Sequence, residues 1–187
     1  FPYTTLFRSV APTAYHRLAH PQGERATAKG AAAAGALMCV STLATTVLEE
    51  VAAASSGPKW FQLYVHRDRG FTRSLVERAA AAGYTALLLT VDTPLLGRRL
   101  RDERNRFALP PGLKMANLPD DSGDAAASRS SLGAYCANRH DASLVFDDLA
   151  WLASLSPLPV LIKGVLRGDD AARALDAGAA GLVVSNH

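Results

Sequence analysis

The stretch PVLIKGVLRGDDAARALDAGAAGLVVSNH, residues 159–187, reads as strand, helix, strand. Residues 160–165 and 181–185 are short, apolar runs rich in β-branched side chains, and Pro159, Gly178 and Asn186 punctuate them. Between them Asp169 is placed to cap a helix whose apolar positions, Ala171, Ala174 and Leu175, recur at helical spacing until Gly178 closes it. Neither run alternates polar with apolar residues. Near-continuous apolarity is the mark of strands covered on both faces, as in a parallel sheet whose neighbours are joined by right-handed crossover helices.

The same rhythm extends towards the N-terminus. Residues 37–41, 60–65 and 86–91 are further strands, and Val10-Ala11-Pro12 is the tail of an earlier one that proline ends. Phe71, Leu75, Val76, Ala79 and Ala82 share one face of a helix that Gly83 can close. Phe146, Leu149, Ala150 and Ala153 form another, stopped by Pro157, and residues 24–34 are alanine-rich and helical by propensity. Repeated strand–helix units fit an open doubly wound sheet or a (β/α)8 TIM barrel. No glycine-rich dinucleotide turn follows any strand, which favours the barrel. The expected fold is therefore α/β, a partial barrel of strands one to six with the last two strand–helix units missing. Residues 95–143 show no clear strand and read as one long loop, a length that is usually functional. Residues 1–9, FPYTTLFRS, resemble the translation of a sequencing adapter. They are set apart as non-native, leaving 10–187 as one incomplete domain.

Composition narrows the class of function. The 187 residues carry 20 Lys+Arg against 17 Asp+Glu, and a net charge of +3 is too small to argue for nucleic acid. Asp102 and Glu103 interrupt the arginine cluster at Arg98, Arg99, Arg101, Arg104 and Arg106. No apolar run approaches the ~18 residues of a membrane span, and no signal peptide is present in the chain. Cys39 and Cys136 have no metal-ligand spacing, so no metal is expected. Cys39, in an apolar run, reads as a small buried hydrophobe.

Polar residues stand at the C-terminal end of one strand after another: Thr13, Ser41, Gln62 with Tyr64, Thr90 with Asp92, Lys163, and Asn186 with His187. In a barrel all those ends face the side where active sites are built. Each alone has a bland reading: Asp92 a helix cap, Lys163 a solvated side chain, His187 a satisfied core histidine. Six strands in a row argue against all of them together. The residue types also cooperate. A histidine beside an aspartate makes a general base. Arg99 can grip a carboxylate with two hydrogen bonds, and a lysine at a strand end can stabilise developing negative charge. Such a site suits removal of hydrogen from carbon next to a carboxylate, without revealing the electron acceptor.

Six blocks in order, APTAYHRLAHPQGE (11–24), FQLYVHRDR (61–69), TVDTPLLGRR (90–99), RNRFALPPGL (104–113), IKGVLRGDDA (162–171) and GLVVSNH (181–187), resemble the FMN-dependent 2-hydroxy-acid oxidase and dehydrogenase family. The resemblance covers residues 10–187. It implies His187 as active-site base, Asp92 as its charge-stabilising partner, Arg99 as the grip on the substrate carboxylate and Tyr64 as a hydrogen-bond partner of substrate. It implies FMN as cofactor, with Lys163 at its N1/O2 edge stabilising the reduced anion, and Ser41, Gln62 and Thr90 bonding its ring. The backbone of Pro12, Thr13 and Ala14 would approach its N5 side. The implied reaction oxidises an (S)-2-hydroxy acid, of lactate or glycolate type, to the 2-oxo acid, with dioxygen reduced to hydrogen peroxide.

Departures from the family pattern matter as well. The family's Gly-x-x-Arg after the histidine, its FMN phosphate site and an N-terminal substrate tyrosine fall outside the sequence. The chain by itself is therefore expected to be inactive, insoluble or molten, and not to retain FMN. Leu43 stands where plant glycolate oxidases have tryptophan, a lean towards bacterial lactate-oxidising members. The alternatives are another FMN- or phosphate-binding barrel enzyme and a non-catalytic barrel remnant. The 95–143 loop lacks a sustained apolar stretch, favouring an oxidase without a membrane anchor. The resemblance further implies a homo-oligomeric parent, a tetramer or octamer, in a bacterial cytoplasm, or in a peroxisome if eukaryotic.

Overall fold

A computed structural model describes residues 8–95, 97–119 and 139–187. Six strands, β1 (Ser9–Val10), β2 (Leu37–Ser41), β3 (Lys59–Leu63), β4 (Ala86–Thr90), β5 (Val160–Val165) and β6 (Gly181–Val184), form one sheet. All neighbours are parallel and the spatial order is the chain order, β1 to β6. A doubly wound sheet would reverse its order at a switch point. Consecutive parallel strands with helical crossovers are instead a barrel wall, so the fold is a partial (β/α)8 barrel. Ser9, the last residue of the segment set apart as non-native, makes the first pair of the sheet with Leu37. The rest of that segment up to Phe7 lies outside the described residues, as do Cys136 and most of the serine-rich part of the long loop.

The helices are α1 (Gly23–Ala33), α2 (Leu48–Ala53), α3 (Arg69–Ala81), α4 (Leu100–Asn105), α5 (Asp148–Ser154) and α6 (Gly168–Asp176). Alternation along the strands separates two faces. Met38, Val40, Phe61, Leu63, Leu87, Leu89, Val160 and Ile162 join one apolar core with Leu48 and Val51 of α2, Leu75, Val76 and Ala79 of α3, Leu149 and Leu152 of α5 and Ala174 of α6. The opposite face of the same strands carries Ser41, Gln62, Thr90 and Lys163. Both faces are covered in the middle of the sheet, where β2 and β4 are buried throughout. That is why the sequence shows apolar runs rather than alternation.

Several sequence expectations shift in detail. Asp68 caps α3, its carboxylate accepting the Phe71 N–H at 3.0 Å. Asp169 does not cap α6. That helix starts at Gly168 after Arg167, so Asp169 sits within its first turn, where an acidic group suits the helix dipole, and takes the Arg167 guanidinium at 2.7 Å. Phe146 lies ahead of α5 and packs on the core from the preceding turn. The long loop is not wholly irregular, since α4 lies inside it. No α4 residue is buried, so it carries no apolar stripe by which sequence could announce it. The short α2 was not foreseen either.

Candidate active site

The polar residues of the inner face meet at the C-terminal edge of the sheet, as the strand-end pattern implied. Ser41 Oγ donates to Gln62 Oε1 at 3.2 Å, the Thr42 N–H donates to the same oxygen at 3.2 Å, and Gln62 Nε2 donates to Thr90 Oγ1 at 3.1 Å. All three side chains are buried. The chain of bonds fixes the amide of Gln62 and leaves a polar floor spanning three strands. Ser41 is held in turn by the Leu43 N–H, which donates to its Oγ at 3.1 Å.

Asp92, two residues past β4, carries the centre of charge. Its Oδ1 lies 2.8 Å from His187 Nδ1 and its Oδ2 lies 3.3 Å from Lys163 Nζ. Its side chain is only 8% exposed against 12% for Lys163 and 36% for His187, so the carboxylate is screened from water and the histidine is reachable. Gly164 makes this possible. Its φ is +113°, and a Cβ there would fall 2.6 Å from Asp92 Cβ. The pairing of β5 with β6 slips at the same point, between Lys163 and Val165.

A cleft of about 500 Å³ opens over this floor. Pro12, Thr13, Ala14, Ser41, Gln62, Tyr64, Thr90, Arg99, Lys163 and His187 all line it. Asp92 stands behind, bonded to two of them. Arg99, just before α4, is exposed and has no carboxylate within salt-bridge distance among the described residues. Leu43, Tyr15 and Tyr64 form an apolar wall with Leu109, Met115 and Leu118. Every site residue expected from sequence is thus brought to one place.

Three contributors were missed. Glu24, 1% exposed in α1, accepts from the Thr45 N–H at 2.7 Å, the Thr46 hydroxyl at 2.7 Å and the His16 N–H at 3.2 Å. It ties the loop after β1 to the loop after β2, the two loops that wall the cleft. Burial opposes its charge, but the hydrogen bonds from Thr45 and Thr46 outweigh that and hold its pKa below the usual value. In sequence it reads only as a first-turn acid. Gly164 did carry a signal, since a glycine inside a strand marks a bulge or a close approach. His140 lines the cleft from a segment read as loop, and nothing local announced it. Cys39 is a buried thiol whose pKa burial pushes up to about 12, against the opposing charge of Lys163, which agrees with a packing role.

The family model described as FMN-dependent dehydrogenase matches residues 8–187. The chain belongs to that family. Its relatives include the L-lactate oxidase of Nostoc sp. (strain PCC 7120 / SAG 25.82 / UTEX 2576), 57% identical over 95% of this chain and 51% of its own length. The glycolate oxidase of Spinacia oleracea is 49% identical over 95% of this chain and 49% of its own. The crystal structure of mandelate oxidase with (S)-4-hydroxymandelic acid superposes with a TM-score of 0.89 at 45% identity, covering 96% of this chain and 51% of that one. The chain thus spans about half the length of the curated relatives it matches. FMN, the family's cofactor, fits the residues present. The buried Ser41–Gln62–Thr90 row offers donors and acceptors suited to the heteroatom edge of a planar ring, and Lys163 adds a cation beside it. No helix among the described residues is long and apolar enough to cross a membrane.

Proposed function

We propose that the protein oxidises an (S)-2-hydroxy acid to the 2-oxo acid, dioxygen being reduced to hydrogen peroxide. The observation that carries this reading is the single carboxylate of Asp92 bonded to both His187 and Lys163 in a cleft rimmed by Arg99. A carboxylate only accepts hydrogen bonds, so the Asp92 contact places a proton on His187 Nδ1, and a neutral imidazole held this way offers its Nε2 lone pair as the base. His187 takes a proton from substrate as the carbinol carbon is oxidised, and Asp92 stabilises the imidazolium that results. Arg99 receives the substrate carboxylate, and the Tyr64 phenol donates to substrate. Bound FMN supplies the two-electron acceptor that no side chain here provides. Lys163 Nζ, bonded to Asp92, stands against the floor of the cleft, where negative charge develops. Leu43, on the apolar wall where plant glycolate oxidases have the larger tryptophan, leaves room for a substrate longer than glycolate, such as lactate. A homo-oligomer, tetramer or octamer, in a bacterial cytoplasm goes with this reading.

The test is anaerobic mixing of the flavin-loaded, full-length enzyme with L-lactate or glycolate. Bleaching of the flavin absorbance, then recovery and peroxide formation on admitting air, is expected. No bleaching by any short 2-hydroxy acid would sink the reading, and bleaching without peroxide would make the protein a dehydrogenase.

A further inference from the structure

The segment that returns from the long loop docks on the end of β3. The Arg67 N–H donates to the Arg139 carbonyl at 2.9 Å, the Asp141 N–H donates to the Val65 carbonyl at 2.9 Å, and His66 and His140 face each other across this short antiparallel bridge. Arg69 Nη2 pins Asp141 at 2.8 Å, and Asp141 also accepts from the Ser143 hydroxyl at 2.6 Å, so the docked residues are held on both sides. The result is that His140, 4% exposed, lays its ring edge-on against Tyr64, with centroids 5.2 Å apart and an interplanar angle of 70°. Thr93, the residue after Asp92, lines the same cleft as His140.

We propose that His140 is a positioning residue for Tyr64, fixing the phenol where it meets substrate; this rests on the function proposed above. His140 stands where the end of β3 meets the cleft wall that it lines with Tyr64 and Thr93. Edge-to-face packing is directional, so it fixes the plane of the phenol as well as filling space. The contact is one of neutral rings near neutral pH. Burial lowers the affinity of His140 for protons, Asp141 opposes this and Arg67 adds to it, with the net shift downward. A ring buried, held neutral and packed edge-on against the phenol orients its neighbour rather than shuttling protons itself.

The test uses the flavin-loaded, full-length enzyme, with kcat and KM measured for L-lactate. His140→Leu is expected to lower kcat/KM about tenfold, and His140→Phe, which restores a ring, to stay within about threefold of the parent. In a Tyr64→Phe background the leucine substitution is expected to cost nothing further, because the hydroxyl that it misplaces is already gone. Should His140→Leu fail to bind flavin, His140→Gln, which keeps a polar side chain and loses the ring, reads the same coupling. An equal cost in both Tyr64 backgrounds, or a phenylalanine as damaging as leucine, would overturn the proposal. If Tyr64→Phe alone changes nothing, the role of Tyr64 and this proposal fall together, while bleaching by lactate still upholds the function. A parent that lactate and glycolate both fail to bleach fails at the function itself.

Discussion

Asp92 holds two basic side chains at once, so its removal and that of His187 have different signatures. His187→Ala takes away the base and should cost about 10²–10⁴ in the rate of flavin reduction. Asp92→Asn removes the charge that both His187 and Lys163 face, and should slow the same step while leaving flavin bound. Stopped-flow reduction under nitrogen measures both, and an unchanged rate in either variant would remove that residue from the proposed chemistry. Gly164→Ala is a sharper test of geometry. The new methyl must displace the Asp92 side chain, whose atoms lie at 2.6–2.8 Å from it, and must also tolerate a φ of +113°. Activity should fall to the level of Asp92→Asn, and retention of full activity would show that the carboxylate has room to move. Sequence identified Asp92, His187 and Lys163 because each ends an apolar run. It missed the need for Gly164, because the group that crowds it comes from another strand.

Between elements the telling residues are buried and polar. Glu24 reaches from α1 to the loops after β1 and β2. In Glu24→Gln an amide NH2 would face donors that need an acceptor, at a cost of about 1–3 kcal/mol, read by urea unfolding. Its depressed pKa adds stability that is present above the unfolded value of 4.5 and lost as pH falls through the lower folded value. His66 acts over a higher window. Burial, helped by His140 and Arg139 and opposed by Asp68, lowers its pKa from 6.5 to about 4. The unfolded chain therefore binds a proton that the folded one refuses, and stability falls as pH drops from 6.5 towards 4, by up to about 3 kcal/mol. His66→Phe should flatten that decline. A parent-like pH profile in the variant would assign the acid sensitivity elsewhere. Strands and the longer helices were readable because burial on one stripe or on both faces is written in local periodicity. The short α2, the solvent-facing α4 and the docking of His140 on Tyr64 were not, since they depend on partners distant in the chain.

At the scale of the sheet, β1 and β6 are its outer strands and leave two open parallel edges among the described residues, and Val184 on β6 is 77% exposed. Expressed as residues 1–187 alone, the chain should aggregate and keep no flavin, as gel filtration and absorbance would show; a soluble yellow monomer would overturn that expectation. The barrel wall itself was readable from six apolar runs in series, and the strand order follows once no switch point interrupts them. That order also governs how the wall is built in time. Met38 pairs with Lys59, Trp60 with Ala86 and Leu161 with Gly181, all short excursions, but Leu87 pairs with Val160 across the whole long loop. Closing about three times the usual length of chain costs about 1 kcal/mol more in entropy before any contact offsets it. The ribbon from β1 to β4 can therefore zip up early, with the β5–β6 pair joining it as a late docking event. His187 and Lys163 ride on that late pair, whereas Asp92 belongs to the early half. Asp92 is thus expected to meet His187 and Lys163 only when that pair docks, and hydrogen-exchange pulses on the full-length enzyme should find Leu37–Ser41 amides protected before those of Val160–Val165.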